Sequence, residues 1–205
     1  MKKFLPLIVL AALLASSIGC TEIRKPAEVP YRAFPTDTNE SYQILQADWQ
    51  VYESTGELTD AATEVFSGEL TGISFVMLNL ETGKAYSPGD DRAHCVLHTV
   101  YTVKVSQVYK GQPGDTREFC IIGGIAGVRE RAQHEVIDAC GATDPSAGIP
   151  VLVPNRELEI GESYLFCTVQ MGGDYDQIVN ISQFVYYTTS DTAAQIQKQC
   201  AARGK

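Results

Sequence analysis

Between Cys95 and Tyr109 the chain alternates. Leu97, Thr99, Tyr101, Val103 and Val105 fall on one side of an extended segment, and His98, Thr102, Lys104 and Ser106 on the other. Successive strand residues point to opposite faces, so a period of two held over this length predicts a long half-buried β-strand. Gly111-Gln112-Pro113-Gly114-Asp115 follows with the composition of a turn, in which proline presets φ and glycine supplies positive-φ positions. Arg117 to Ile122 returns as a second strand, closing a hairpin, and Gly123-Gly124 ends it. A hairpin of this length commits the domain to a sheet.

Other segments agree. Val65 to Leu78 is rich in Val, Phe, Ile and Leu, and Gly68 and Gly72 inside it mark a bulge or bend. Ser163 to Gln170 and Gln177 to Tyr187 read as further strands, separated by Met171-Gly172-Gly173-Asp174. Ile125 to Asn155 reads as a long loop, with one or two helical turns within Val128 to Ala139. Ser190 is placed to cap a final helix from about Asp191 to Ala202. Tyr42 to Asp60, with Ile44, Leu45, Trp49 and Val51, reads as a short helix or an irregular lid. The expected fold class is mainly β.

The N-terminus carries an address. Met1-Lys2-Lys3 is a short positive stretch, Phe4 to Ala15 is apolar apart from Pro6, and small residues follow up to Cys20. This is the layout of a secretory signal, and it is too short to span a bilayer. Ser17-Ile18-Gly19-Cys20 resembles the lipobox of bacterial lipoproteins, with Ser17 where leucine is usual. The resemblance implies a diacylglyceryl thioether (lipidation) on Cys20, cleavage before it, and palmitate-type acylation of its new amine. Two or three acyl chains hold a protein stably at a membrane. The alternative is ordinary cleavage after Ser17, giving a secreted chain. Thr21 to Ser41, with Pro26, Pro30 and Pro35, has no hydrophobic period and reads as an extended tether. The expected organisation is a signal peptide over 1–19, a tether and lid over 20–57, and one β domain over 58–205.

Charge and sulfur narrow the partners. The net charge is −9, which argues against nucleic acid, because that binding depends on clustered Lys and Arg neutralising phosphates. No polybasic patch is present for anionic lipid heads. With Cys20 lipidated, five cysteines remain as disulfide candidates in the oxidising world outside the cell: Cys95, Cys120, Cys140, Cys167 and Cys200. One of them then stays unpaired or pairs between chains. If Cys20 keeps its thiol, three bridges are open to the six. No C-x-x-C occurs, and the pairing is not legible.

Catalytic constellations are scarce. His94 and His98, placed on one side of a strand, stand about 13 Å apart at strand rise, too far to share an ion. His134-Glu135-Val136-Ile137-Asp138 begins like the zinc-binding H-E-x-x-H helix, but Asp138 replaces the second histidine. Asp90-Asp91 and Asp174-Tyr175-Asp176 offer too few oxygens for calcium. Asn180-Ile181-Ser182 matches a glycosylation acceptor, a match that a signal of bacterial type makes incidental. No catalytic residue, metal ligand or cofactor is assigned. Tyrosines accompany the strands (Tyr101, Tyr109, Tyr164, Tyr175, Tyr186, Tyr187), and a tyrosine with an exposed face suits a binding surface.

An ordered set of motifs adds a resemblance. Thr102-Val103-Lys104-Val105-Ser106-Gln107-Val108-Tyr109-Lys110-Gly111, Gly114-Asp115, Gly123-Gly124 and Leu158-Glu159-Ile160-Gly161-Glu162-Ser163-Tyr164-Leu165-Phe166 follow in sequence, after an opening strand over Ala61 to Gly72. Over residues 58–190 this resembles exported bacterial domains similar to the oligonucleotide/oligosaccharide-binding (OB) β-barrel, including the netrin-like modules of metalloproteinase inhibitors. It implies a small closed or partly open antiparallel β-barrel with a long loop and a C-terminal helix. Those inhibitors use an N-terminal Cys-x-Cys, which Cys20-Thr21-Glu22 lacks. The expected function is a membrane-anchored envelope lipoprotein, not an enzyme, binding an unknown protein or small molecule or serving a structural role. The alternatives are a secreted inhibitor of an extracellular hydrolase, and an enzyme built on His134, Glu135 and Asp138.

Overall fold

The computed structural model of the chain describes residues 28–141, 148–153 and 155–204. In chain order these form β1 (Tyr42–Leu45), α1 (Thr55–Ala61), β2 (Glu64–Asn79), a 3-10 turn (Arg92–His94), β3 (Cys95–Lys110), β4 (Thr116–Ile122), α2 (Glu130–Cys140), β5 (Ile149–Leu152), β6 (Ser163–Val169), β7 (Asp176–Ile178), β8 (Val185–Tyr187) and α3 (Asp191–Arg203). The protein is mainly β with a C-terminal helix.

The two 16-residue strands β2 and β3 are the frame, antiparallel from Val65↔Lys110 to Asn79↔Cys95. Register shifts fall between Ser67 and Gly68 and between Leu70 and Gly72, as the internal glycines predict. Gly68 has a steric reason: a Cβ there would lie 2.5 Å from the Lys104 carbonyl oxygen. β4 pairs with β3, β7 with β4 in parallel, β6 with β7, and β2 again with β6. The pairings therefore run in a ring, with β8 added at β6. The ring is thin on both sides of β7: the parallel contact with β4 has only Phe119↔Asp176 and Cys120↔Gln177 in register, and the antiparallel contact with β6 only Thr168↔Ile178 and Val169↔Gln177.

Aromatic residues fill the inside of the ring. Phe119 is wholly buried, with ring centroids 5.2 Å from Phe166, 5.5 Å from Tyr101 and 6.5 Å from Phe66. A second cluster, with Met77, Leu97, Ile137, Ile149 and Val151, packs α2 and β5 against the β2–β3 ends. The two 'faces' expected of β3 are accordingly both covered in its first half. His98 and Val100 are buried like Leu97 and Thr99, and polar exposure resumes only beyond Tyr101.

Three expectations change in form. The long loop holds a full 11-residue helix and a strand, β5, which pairs in parallel with β1. Gln177 to Tyr187 is two short strands, because the buried Asn180 breaks it: its Oδ1 accepts from Ser182 N and Ser182 Oγ, both at 2.6 Å. The glycosylation match at Asn180 is thus the interior of a turn. The segment 28–57, expected as tether and lid, lies on the body. Val29 is fully buried, Arg32 N donates to Asn155 O at 2.6 Å, and Glu157 N donates to Pro30 O at 2.9 Å. The final helix stands as predicted, with Ser190 Oγ accepting from Ala193 N at 3.1 Å.

Phe119→Ala removes the ring that four aromatic neighbours pack against, so urea unfolding followed by circular dichroism is expected to show a loss of about 3–5 kcal/mol.

Candidate functional site

A groove of about 440 Å³ opens between α1, α3 and the end of β3, lined by Thr59, Tyr109, Lys110, Gly111, Cys200 and Arg203. Local chemistry builds it. Ser54 Oγ accepts from Glu57 N at 3.2 Å and starts α1. The helix ends against Lys110, whose ammonium donates to the carbonyls of Thr59 (2.6 Å), Asp60 (3.3 Å) and Ala62. A cation at a helix C-terminus satisfies carbonyls that the helix itself leaves open. Gly111 then turns away at φ +80, and a Cβ there would lie 2.8 Å from Thr63 O. The Tyr109-Lys110-Gly111 sequence is therefore a device for docking α1 on the sheet.

Arg203 is committed in the same way. Its Nη1 donates to Gly56 O at 2.8 Å and Thr59 Oγ1 at 3.0 Å and pairs with Asp60. With both cations already occupied, the groove offers a ligand the Tyr109 ring, the Val108 side chain and little net charge.

Beside this groove sits the strongest charge constellation. Arg117 on β4 reaches Glu64 at the start of β2 (Nε–Oε2 2.7 Å) and Asp176 at the start of β7. Both carboxylates are buried. Burial pushes the Glu64 carboxyl up; the Arg117 charge opposes this and the Asp176 charge adds to it. Two acids around one base could suit proton chemistry, but here they tie together three strands at the ring's parallel seam. Neither the period nor any motif singles out this triad, since its members are far apart in sequence and are drawn together by strand pairing.

The residues singled out from sequence are dispersed. His94 is in the 3-10 turn and not on the strand, with Nδ1 2.6 Å from Glu81 Oε1. His98 is buried on β3; its Nδ1 meets Val96 O at 2.9 Å, and burial holds its pKa below the usual imidazole value. His134 lies on α2, where Nε2 meets Glu40 Oε2 at 2.8 Å, while Glu135 pairs with Arg131 one turn earlier. Asp90 accepts from Ser87 N at 2.8 Å, Asp91 from Ala93 N at 3.0 Å, and Asp174 from Ala85 N at 2.8 Å, so these acids are turn acceptors. Among the described residues no group of three or more His, Cys, Asp or Glu converges as metal ligands. Cys95, Cys120, Cys140, Cys167 and Cys200 are all buried thiols. Tyr101, Tyr164 and Tyr186 are core, whereas Tyr109, Tyr175 and Tyr187 are half-buried. Cys20 lies outside the described residues, and among those described no helix is long and apolar enough to cross a membrane.

Neither a protein-family model nor a curated protein matches the chain.

The triad predicts an asymmetry. Arg117→Met leaves two buried carboxylates uncompensated and is expected to cost about 3–5 kcal/mol, whereas Glu64→Gln leaves a balanced pair and costs under about 1 kcal/mol. The pH dependence has a definite sign. Because the folded pKa of Glu64 is raised, its protonation favours the fold: that contribution is full below the ordinary carboxyl range and is lost as pH rises through the raised value. Denaturant melts from pH 4 to 7 should accordingly show a smaller fall in stability for Glu64→Gln than for the parent protein.

Proposed function

We propose that this chain is a bacterial envelope lipoprotein, anchored in a membrane through acyl chains on Cys20, whose body is an OB-like β-barrel acting as a non-enzymatic binding or structural module. The observation that carries the reading is Cys20 itself, set directly behind a short apolar leader and Ile18-Gly19. The ring of strand pairings supports the barrel, since five strands, β2, β3, β4, β7 and β6, are enough to close one.

The N-terminal entry fits an anchored protein. Arg156, buried, donates to Val29 O and Ser182 O, and its guanidinium carbon stacks 4.0 Å above the Tyr31 ring. The chain is therefore fixed to the body from Val29 onward. Nine residue steps separate Cys20 from Val29, and a fully extended chain of that length spans about 30 Å. The body is held close to the membrane surface, with its acidic exterior facing water. The groove beside Tyr109 is the place on it for a neutral, partly aromatic ligand.

The anchor is tested by intact mass and fractionation of the natively expressed protein. Mature protein beginning at Cys20, carrying two or three acyl chains and sedimenting with membranes, is the expected result. Cys20→Ala should abolish both the added mass and the membrane association. An unacylated mature chain in the soluble fraction would overturn the proposal in favour of plain secretion.

A further inference from the structure

Where the N-terminal segment meets the body, hydrogen-bond donors gather with nothing to accept from them. Tyr31 and Arg156 form an antiparallel bridge, flanked by Arg32 N donating to Asn155 O at 2.6 Å and Glu157 N donating to Pro30 O at 2.9 Å. The next cross-strand pair is therefore Arg32 and Asn155. Side chains alternate along extended chains, and directly opposed residues share a face. Arg156 and Tyr31 stack on one face, at 4.0 Å, so Arg32 and Asn155 share the other. Both line a cavity of about 20 Å³, walled by Phe34, Ile125, Val151 and Leu152 among others.

The polar groups here are of one kind. Asn155 Oδ1 accepts from Arg156 N at 2.8 Å, which fixes the amide and leaves its nitrogen over. That Nδ2, on a residue 6% exposed, has no partner, and neither has the wholly buried Tyr101 hydroxyl. The Asn155 amide and the Arg32 charge both bear on that hydroxyl. Arg32 is the only charged residue of the lining, and no salt bridge among the described residues engages it. Its neighbour across the bridge, Arg156, is buried and answered by two carbonyls and a ring. A chain of net charge −9 thus keeps two guanidiniums at adjacent positions with no acid paired to either.

We propose that this cavity binds a small monovalent anion of halide size, such as chloride, between Arg32 and the Asn155 amide. Volume excludes much larger ligands: about 10–15 Å³ of such space holds one water molecule, so 20 Å³ takes a single small occupant. Water is the competitor, and the chemistry suits it less. A water needs acceptors for its own protons, and the free side-chain groups here are donors or hydrocarbon. An anion accepts from all of them and offsets a charge that is costly to desolvate alone. A metal cation is excluded by the same inventory, since no carboxylate, thiol or imidazole lines the cavity. The ion clips the N-terminal segment to the chain leaving β5, independently of any lipid at Cys20 or ligand at Tyr109.

The test is thermal unfolding of the full chain at constant sodium in chloride, bromide or gluconate, the last too bulky to enter. At about 0.2 M, halide is expected to raise the melting temperature by roughly 2–5 °C over gluconate. Arg32→Gln should lose that rise. Asn155→Asp keeps the acceptor for Arg156 N and supplies a tethered carboxylate in place of the free ion. It should melt in gluconate at least as high as the parent protein does, with no halide dependence; a lower value counts against the site. Equal melting of the parent in chloride and gluconate would overturn the proposal, as would a halide rise that survives in Arg32→Gln. A bromide-soaked crystal reads the site directly. An anomalous peak between Arg32 and Asn155 Nδ2 is expected, and an ordered water in its place would sink the ion.

Discussion

One guanidinium holds the ring beside β7, the ring strand with the fewest backbone pairings on either side. The parallel seam between β4 and β7 is two residues long, and Arg117 at that seam binds Asp176 of one strand and Glu64 of another. An isolated buried carboxylate pair would repel, and an isolated buried arginine would be heavily penalised for lost hydration. Together they are tolerable only in one relative placement of β2, β4 and β7. This makes the triad a constraint on register more than a source of stability. The aromatic interior around Phe119 supplies the attraction, and the triad specifies the arrangement.

The same logic recurs at the entrance of the chain. Arg156 replaces its water with the carbonyls of Val29 and Ser182 and the face of Tyr31, joining the N-terminal segment to the turn between β7 and β8. Gln183 adds a two-way contact with Tyr52, accepting from its N–H at 2.9 Å and donating to its carbonyl at 2.8 Å. Residues that look like a linker by composition thus become a strap across the body. An anchor at Cys20 would then set the position of the body itself, where a long free tether would let it wander.

Much of the sheet was legible. The period-two run of β3, the glycine bulges of β2, the turn at Gly111 to Asp115 and the Ser190 cap follow from local geometry and appear where local geometry puts them. The groove was only half legible: Tyr109-Lys110-Gly111 stands out as a motif, but its role depends on α1 arriving beneath Lys110. The helix α2 exceeded its expected length because Gln133 is buried and fixes it to the chain leaving β4, donating to Ile125 O at 2.8 Å and accepting from Ile125 N at 3.2 Å. Burial of both faces of early β3 was illegible, since a polar residue such as His98 carries no mark that another layer will cover it.

The sequence by itself determined the long strands, their turns and the closing helix, because each of these is set by residues adjacent along the chain. Tertiary structure alone decided that the five described cysteines beyond residue 90 are all buried, that three distant charges meet at one seam, and that a proline-bearing strip is laid on the body. Those outcomes depend on strand order and helix docking, and pairs tens of residues apart leave no periodic trace in the chain that carries them.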